Sequence, residues 1–209
     1  MEKIKSSLTN MVLVLVGLAL IVGALLAWVN HLTQKPIAMK AEKTLAEGIK
    51  NVMGTDQLTV AENDTVRETV EGKELVFVVH KAVAGDKKPL GAAVESTTQG
   101  FGGDLKVLVG FNPEGVILGY TILQTSETPG LGAKADKWFQ RDGKGNIIGM
   151  SPAQGNLTVS KDGGKVDAIT ASTITSRAFL KAVNQAYSAY AKNKVDAETG
   201  ASKQHHRNS

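Results

Sequence analysis

From Met11 to Val29 the chain runs for nineteen residues without a charged or strongly polar side chain, and this fixes what the N-terminal part can become. As a helix at 1.5 Å per residue it reaches roughly 28 Å, about the hydrocarbon thickness of a bilayer. Lys3 and Lys5 precede it, and Asn30, His31 and Lys35 come after it. A cleaved signal peptide would have an apolar core of about 7–15 residues ending in a small-x-small site. Here Ala24-Leu25-Leu26-Ala27 leads into Trp28, an interfacial aromatic. The run is therefore read as an uncleaved transmembrane helix, 11–29, preceded by a cytoplasmic segment, 1–10. The charge balance leans toward an inside N-terminus, with Lys35, Lys40 and Lys43 competing in the count.

Pro36 is expected to open a juxtamembrane helix within 30–54, with Ala41, Leu45, Ile49 and Val52 on one face and Gly54 as its stop. Beyond it lie about 140 residues, the size of one well-cored domain, taken as 55–195. Residues 196–209 are expected to be a disordered polar tail.

Within the domain, Thr55–Thr65 reads as a polar stretch. Glu74–Ala82 has the β-branched and aromatic character of a strand closed by His80, for which the sequence suggests no carboxylate partner. Pro89–Glu95 is a second strand candidate, and Leu105–Phe111 alternates with period two. Asn112-Pro113-Glu114-Gly115 has type I turn chemistry and leads into a return strand, Val116–Leu123. A final helix, Thr173–Lys192, places Phe179, Val183, Ala186 and Tyr190 on one stripe. The fold class is α+β: a single N-terminal transmembrane helix, then one domain with an antiparallel sheet packed by helices.

Several chemistries are excluded. No cysteine is present, so this chain has no thiolate metal site, disulfide or thiol nucleophile. The net charge of +4 is spread without aromatic interleaving, which does not suggest nucleic acid. His205 and His206 sit in the polar tail and read as solvated, so no metal site is expected. Gly143, Gly145 and Gly149 miss the dinucleotide spacing, and no P-loop exists. Thr173 has no evident histidine base, paired carboxylates can be drawn only arbitrarily, and Trp138 with Phe139 reads as packing. No catalytic residue is assigned.

Three stretches stand out. Asp167-Ala168-Ile169-Thr170-Ala171-Ser172-Thr173-Ile174-Thr175-Ser176 crowds hydroxyls at a helix start, where they serve either as a cap or, with the free N–H groups and helix dipole, as an anion site. Gln99-Gly100-Phe101-Gly102-Gly103-Asp104 and Ser126-Glu127-Thr128-Pro129-Gly130-Leu131-Gly132 are richer in glycine than a turn requires. They read either as plain turns or as walls against a planar ring.

With the blocks Gly100–Gly119, Ser126–Lys134 and Asp167–Ser176 in this order behind one apolar span, the chain resembles the G-subunit family of bacterial Rnf electron-transport complexes. It is more distantly similar to the C-subunit family of sodium-pumping NADH:quinone reductases, and both lie within the covalent FMN-binding domain family. The resemblance implies a motif of the form Asp-x-x-(Ser/Thr)-Gly-Ala-Thr, whose closing threonine bears FMN through its phosphate. Aligned on Asp167, the later slots fall on Thr170, Ala171, Ser172 and Thr173, which makes Thr173 the implied acceptor. Ala171 and Ser172 depart from the usual glycine and alanine, and Ser172 and Thr175 stay as rival acceptors. Glu127, Thr128, Gly130, Leu131, Gly132, Gly100 and Gly102 are implied flavin neighbours.

The resemblance further implies maturation by a flavin transferase using FAD and partnership with the other Rnf subunits. It also implies an electron-carrying role in an ion-translocating ferredoxin:NAD oxidoreductase, with the domain on the outer face of the cytoplasmic membrane. A flavinylated carrier of a sodium-pumping quinone reductase or of an extracellular reductase is the alternative, and an anchored, non-redox binding protein is a third.

Overall fold

The structure is a computed structural model that describes residues 8–70 and 72–199. Helix α1 runs Leu8–Met53 without interruption, so the helix expected to open at Pro36 is the last part of a longer one. Its apolar portion meets the length and hydropathy needed to cross a membrane. The chain divides into two compact units, Met1–Thr44 and Leu45–Ser209, with the division inside α1.

The second unit holds five strands in an antiparallel meander, β1 (Leu58–Val70), β2 (Lys73–Ala84), β3 (Pro89–Gln99), β4 (Asp104–Phe111) and β5 (Ile117–Thr125), in that spatial order. Four of these are legible in the sequence, and β1 corrects the polar reading of Thr55–Thr65. It is an edge strand that pairs only with β2 and buries Val66 among mostly polar neighbours, so its hydrophobic alternation is faint. The Asn112–Gly115 turn forms as expected, with the Gly115 N–H bonded to the Asn112 carbonyl at 2.9 Å.

Helix α3 (Thr173–Thr199) covers one face of the sheet, and the expected stripe of Phe179, Val183, Ala186 and Tyr190 is buried there. Phe179 stacks on Phe139 at 4.3 Å and meets Tyr120 edge-on at 4.7 Å, which locks the 135–147 connection to the helix. The helix extends to Thr199, four residues into the segment expected to be a tail, whereas His205 and His206 lie outside the described residues.

The opposite face receives the end of α1: Ile49, Val52 and Met53 pack on Ala82, Ala93 and Leu108. The helix backbone can approach because Gly110 and Gly119 face each other across β4 and β5. A Cβ at those positions would lie 2.5 and 2.9 Å from the Val52 carbonyl oxygen.

His80 also differs from expectation. It lies inside β2, is buried, and has a carboxylate partner after all: its Nε2 donates to Glu95 Oε1 at 2.8 Å, while Nδ1 lies 2.8 Å from Asn63 Oδ1. Lys106 Nζ pairs with the other Glu95 oxygen. Burial alone would raise the Glu95 carboxyl, but the His80 and Lys106 hydrogen bonds outweigh it and hold the group below the ordinary carboxylate range. This row of polar groups links four adjacent strands.

Candidate functional site

The segment 166–176 is built by a latch and a turn. Val159 bridges Val166, Ser160 N–H donates to the Val166 carbonyl at 2.8 Å, and Ser160 Oγ donates to Asp167 Oδ1 at 3.3 Å. Trp138 Nε1 donates to the Asp167 carbonyl at 2.8 Å, so the tryptophan is a structural clamp on the start of the motif.

Ile169–Ser172 then forms a turn, with the Ser172 N–H bonded to the Ile169 carbonyl at 3.0 Å and Ala171 in the left-handed region at φ 62°. Glycine is the residue that adopts this conformation without steric cost, and Lys87 is the only other non-glycine with positive φ among the described residues. Ala171 therefore occupies a position where the backbone favours glycine.

The Ser172 carbonyl accepts the first helical bond, from Ser176 N–H at 3.0 Å. Ser176 Oγ, fully buried, donates to the same carbonyl and accepts from Ile169 N–H, both at 2.9 Å. The cap is thus closed by Ser176.

The hydroxyls differ sharply in environment. Thr175 is 1% exposed. Its Oγ1 and Glu127 Oε2 both crowd the space where a Gly132 side chain would project, at 2.8 and 2.3 Å from an added Cβ. Thr170 is exposed, Ser172 and Thr173 are half-buried, and the Thr173 hydroxyl receives a hydrogen bond from Lys161 Nζ at 3.3 Å.

The two glycine loops meet the helix start at Glu127, a buried carboxylate. Its Oε1 accepts the Phe101 N–H at 2.7 Å. An added Cβ at Gly100 would fall 2.2 Å from Glu127 Oε1, and one at Gly102 would fall 2.3 Å from the Ser126 carbonyl oxygen. The close approach that these glycines permit is thus made by the chain itself. Thr128–Leu131 is a Pro-Gly turn, with the Leu131 N–H bonded to the Thr128 carbonyl at 3.1 Å and Gly130 at φ 77°. Around this junction three apolar side chains stay in solvent, Phe101 at 71%, Leu131 at 41% and Ile174 at 53% exposure.

Sequence reasoning singles out the stretches that hold Phe101 and Ile174 without assigning either a role at the site, and it misses Lys161. The exposed apolar residues offer no periodic signal, and Lys161 is one lysine among many. Two concave spaces lie to the side. One, of about 370 Å³, follows α3 past Arg177, Asn184 and Ser188, and another, of about 350 Å³, borders Trp138 and Lys134. Neither is lined by Thr173. Among the described residues no group of acidic or histidine side chains is placed to hold a metal.

The chain carries an FMN-binding domain, whose family model matches residues 100–188. The G subunit of an ion-translocating oxidoreductase complex from Yersinia pestis is 33% identical over 170 residues, covering 78% of this chain and 80% of that protein. Its counterpart from Aliivibrio fischeri (strain ATCC 700601 / ES114) is 30% identical over 202 residues, covering 90% and 92%. The chain belongs to the G-subunit family of ion-translocating oxidoreductase complexes. The fold is shared with the C subunit of the Na⁺-translocating NADH-quinone reductase from Parabacteroides distasonis ATCC 8503, with a TM-score of 0.52, 21% identity, and coverage of 76% of this chain and 96% of that one.

Proposed function

We propose that this chain is the flavin-bearing electron-transfer member of an Rnf-type ion-translocating oxidoreductase, with FMN esterified through its phosphate to Thr173. Kinship with the G-subunit family and the FMN-binding domain match support the redox reading. The observation that carries the residue assignment is the turn at Ala171. A left-handed residue two positions before Thr173 fits the motif's glycine slot, and so fits the register that makes Thr173 the acceptor.

Accessibility supports the same choice. Thr173 is half-buried and its hydroxyl is met by Lys161, whereas Thr175 is sealed between Gly132 and Glu127. A transferase can reach the first hydroxyl without opening the core. The residues fit the group: Thr173 offers the ester oxygen, the first turn of α3 favours its negative charge, and Phe101, Leu131 and Ile174 offer apolar surface to a planar ring. Glu127, with Thr128, Gly130 and the glycines at 100, 102 and 132, sets the shape of the two loops that carry that surface. Bound there, the flavin supplies the redox chemistry, and the chain positions it and tunes it.

In this proposal residues 11–29 cross the cytoplasmic membrane from an inside segment 1–10, residues 30–54 form the juxtamembrane part, and 55–195 carry the flavin on the outer face. Helix α3 takes up the first four residues of the expected tail, which leaves the residues after Thr199; the other members of the complex are the partners, and a separate flavin transferase installs FMN from FAD with release of AMP. Co-expression with such a transferase tests the reading: in-gel flavin fluorescence and a mass gain of one FMN less one water are expected, and their absence would refute it.

A further inference from the structure

We propose that Lys161 is the cation that holds the phosphodiester on Thr173, a positioning residue that rests on the flavin reading above. Lys161 lies in a 3-10 turn, Ser160–Asp162, tied to the motif by the Val159–Val166 bridge and the Ser160–Asp167 bond. The two charged residues of that turn have separate tasks. Asp162 is held by Arg177 through a two-pronged ion pair, Nε to Oδ2 and Nη2 to Oδ1, both at 2.7 Å. The Arg177 hydrogen bonds hold the Asp162 carboxyl below its ordinary range, as a committed pair requires.

Arg177 stands one helical turn after Thr173 on α3, so the Asp162 clamp lays the 3-10 turn along the helix start and brings Lys161 over Thr173. Lys161 makes no ion pair among the described residues, and its one hydrogen bond there is to Thr173 Oγ1 at 3.3 Å. An ammonium without a carboxylate, directed at a neutral hydroxyl, gains little from that bond.

Esterification changes the balance. The hydroxyl proton is lost, and a phosphodiester with one negative charge takes its place, its free oxygens lying just beyond Oγ1 on the phosphorus. Lys161, already 3.3 Å from Thr173 Oγ1, would hold those oxygens by a charge-assisted hydrogen bond, the stronger kind. The Asp162–Arg177 pair keeps the neighbouring carboxylate from competing for the ammonium.

The test uses the full-length chain co-expressed with a flavin transferase, following loading by intact mass and the phosphodiester by ³¹P resonance. Lys161→Gln is expected to load about tenfold more slowly than wild type and to shift the resonance. Lys161→Glu should be slower still, and Lys161→Arg should restore both readouts. The unloaded Lys161→Gln chain should melt at the wild-type temperature, because Lys161 is exposed. Wild-type loading with Lys161→Gln and Lys161→Glu indistinguishable from it in both readouts would overturn this inference alone. Slower loading with an unchanged resonance would also overturn it, by assigning Lys161 to recognition by the transferase. Failure of the wild type to load would overturn the flavin reading, and this inference with it.

Discussion

Ala171→Gly is expected to stabilise the domain, contrary to the usual cost of introducing glycine. Ala171 sits at φ 62°, where an L-residue is disfavoured by about 1–2 kcal/mol. Glycine removes that cost but loses about 0.5–1 kcal/mol more conformational entropy on folding. The side chain is exposed, so little packing is sacrificed. The difference ranges from about 0 to 1.5 kcal/mol and centres on a net stabilisation of about 0.75 kcal/mol, which for a domain of about 150 residues raises the melting midpoint by about 1.5–3 °C.

Thermal denaturation of the full-length protein in detergent, followed by circular dichroism, measures it. Ala168→Gly is the control, because Ala168 has an ordinary backbone and its replacement should destabilise. Ala171→Val should melt below wild type, since branching at Cβ worsens the left-handed conformation. A fall in midpoint for Ala171→Gly would refute the left-handed turn, and with it the structural support for placing the motif's glycine slot at 171 and the acceptor at 173.

Other outcomes rest on the same geometry. Gly132→Ala should cost about 2 kcal/mol and reduce flavin loading, because its Cβ would meet Glu127 Oε2 at 2.3 Å and Thr175 Oγ1 at 2.8 Å; urea denaturation and in-gel fluorescence check both parts. Glu95→Gln should destabilise by about 2–3 kcal/mol, since His80 loses a buried charge-assisted partner and Lys106 a half-exposed one. Glu95 also sets an acid limit. Its folded pKa lies below the ordinary 4.5, so its contribution is complete above that pH and is lost as the pH falls through the depressed value; an acid titration of stability should be steeper below pH 4.5 in wild type than in Glu95→Gln.

Much of this is legible from residues because the signals are local. Alternation marks Leu105–Phe111, turn chemistry marks Asn112–Gly115, and helical spacing marks the buried stripe of α3. The features that escape a sequence reading depend on register or on distant parts of the chain. β1 is polar because an edge strand has one neighbour and little core to fill. His80 finds Glu95 only because β2 and β3 pair His80 with Ala93, placing a residue fifteen positions away within reach. The glycines at 100 and 132 read as room for a ligand, whereas the space beside them is taken by Glu127, which lies 27 and five residues away in the chain, a contact that no local pattern reveals. The Ala171 turn is foreshadowed only by the motif's glycine slot.

The central claim is that one hydroxyl, on Thr173, carries the flavin, and intact mass of three co-expressed chains decides it. Wild type and Thr175→Ala should each gain one FMN less one water, with any fall in the Thr175→Ala yield traceable to its buried position, while Thr173→Ala should gain nothing. Retention of the mass gain in Thr173→Ala together with its loss in Thr175→Ala would contradict the account.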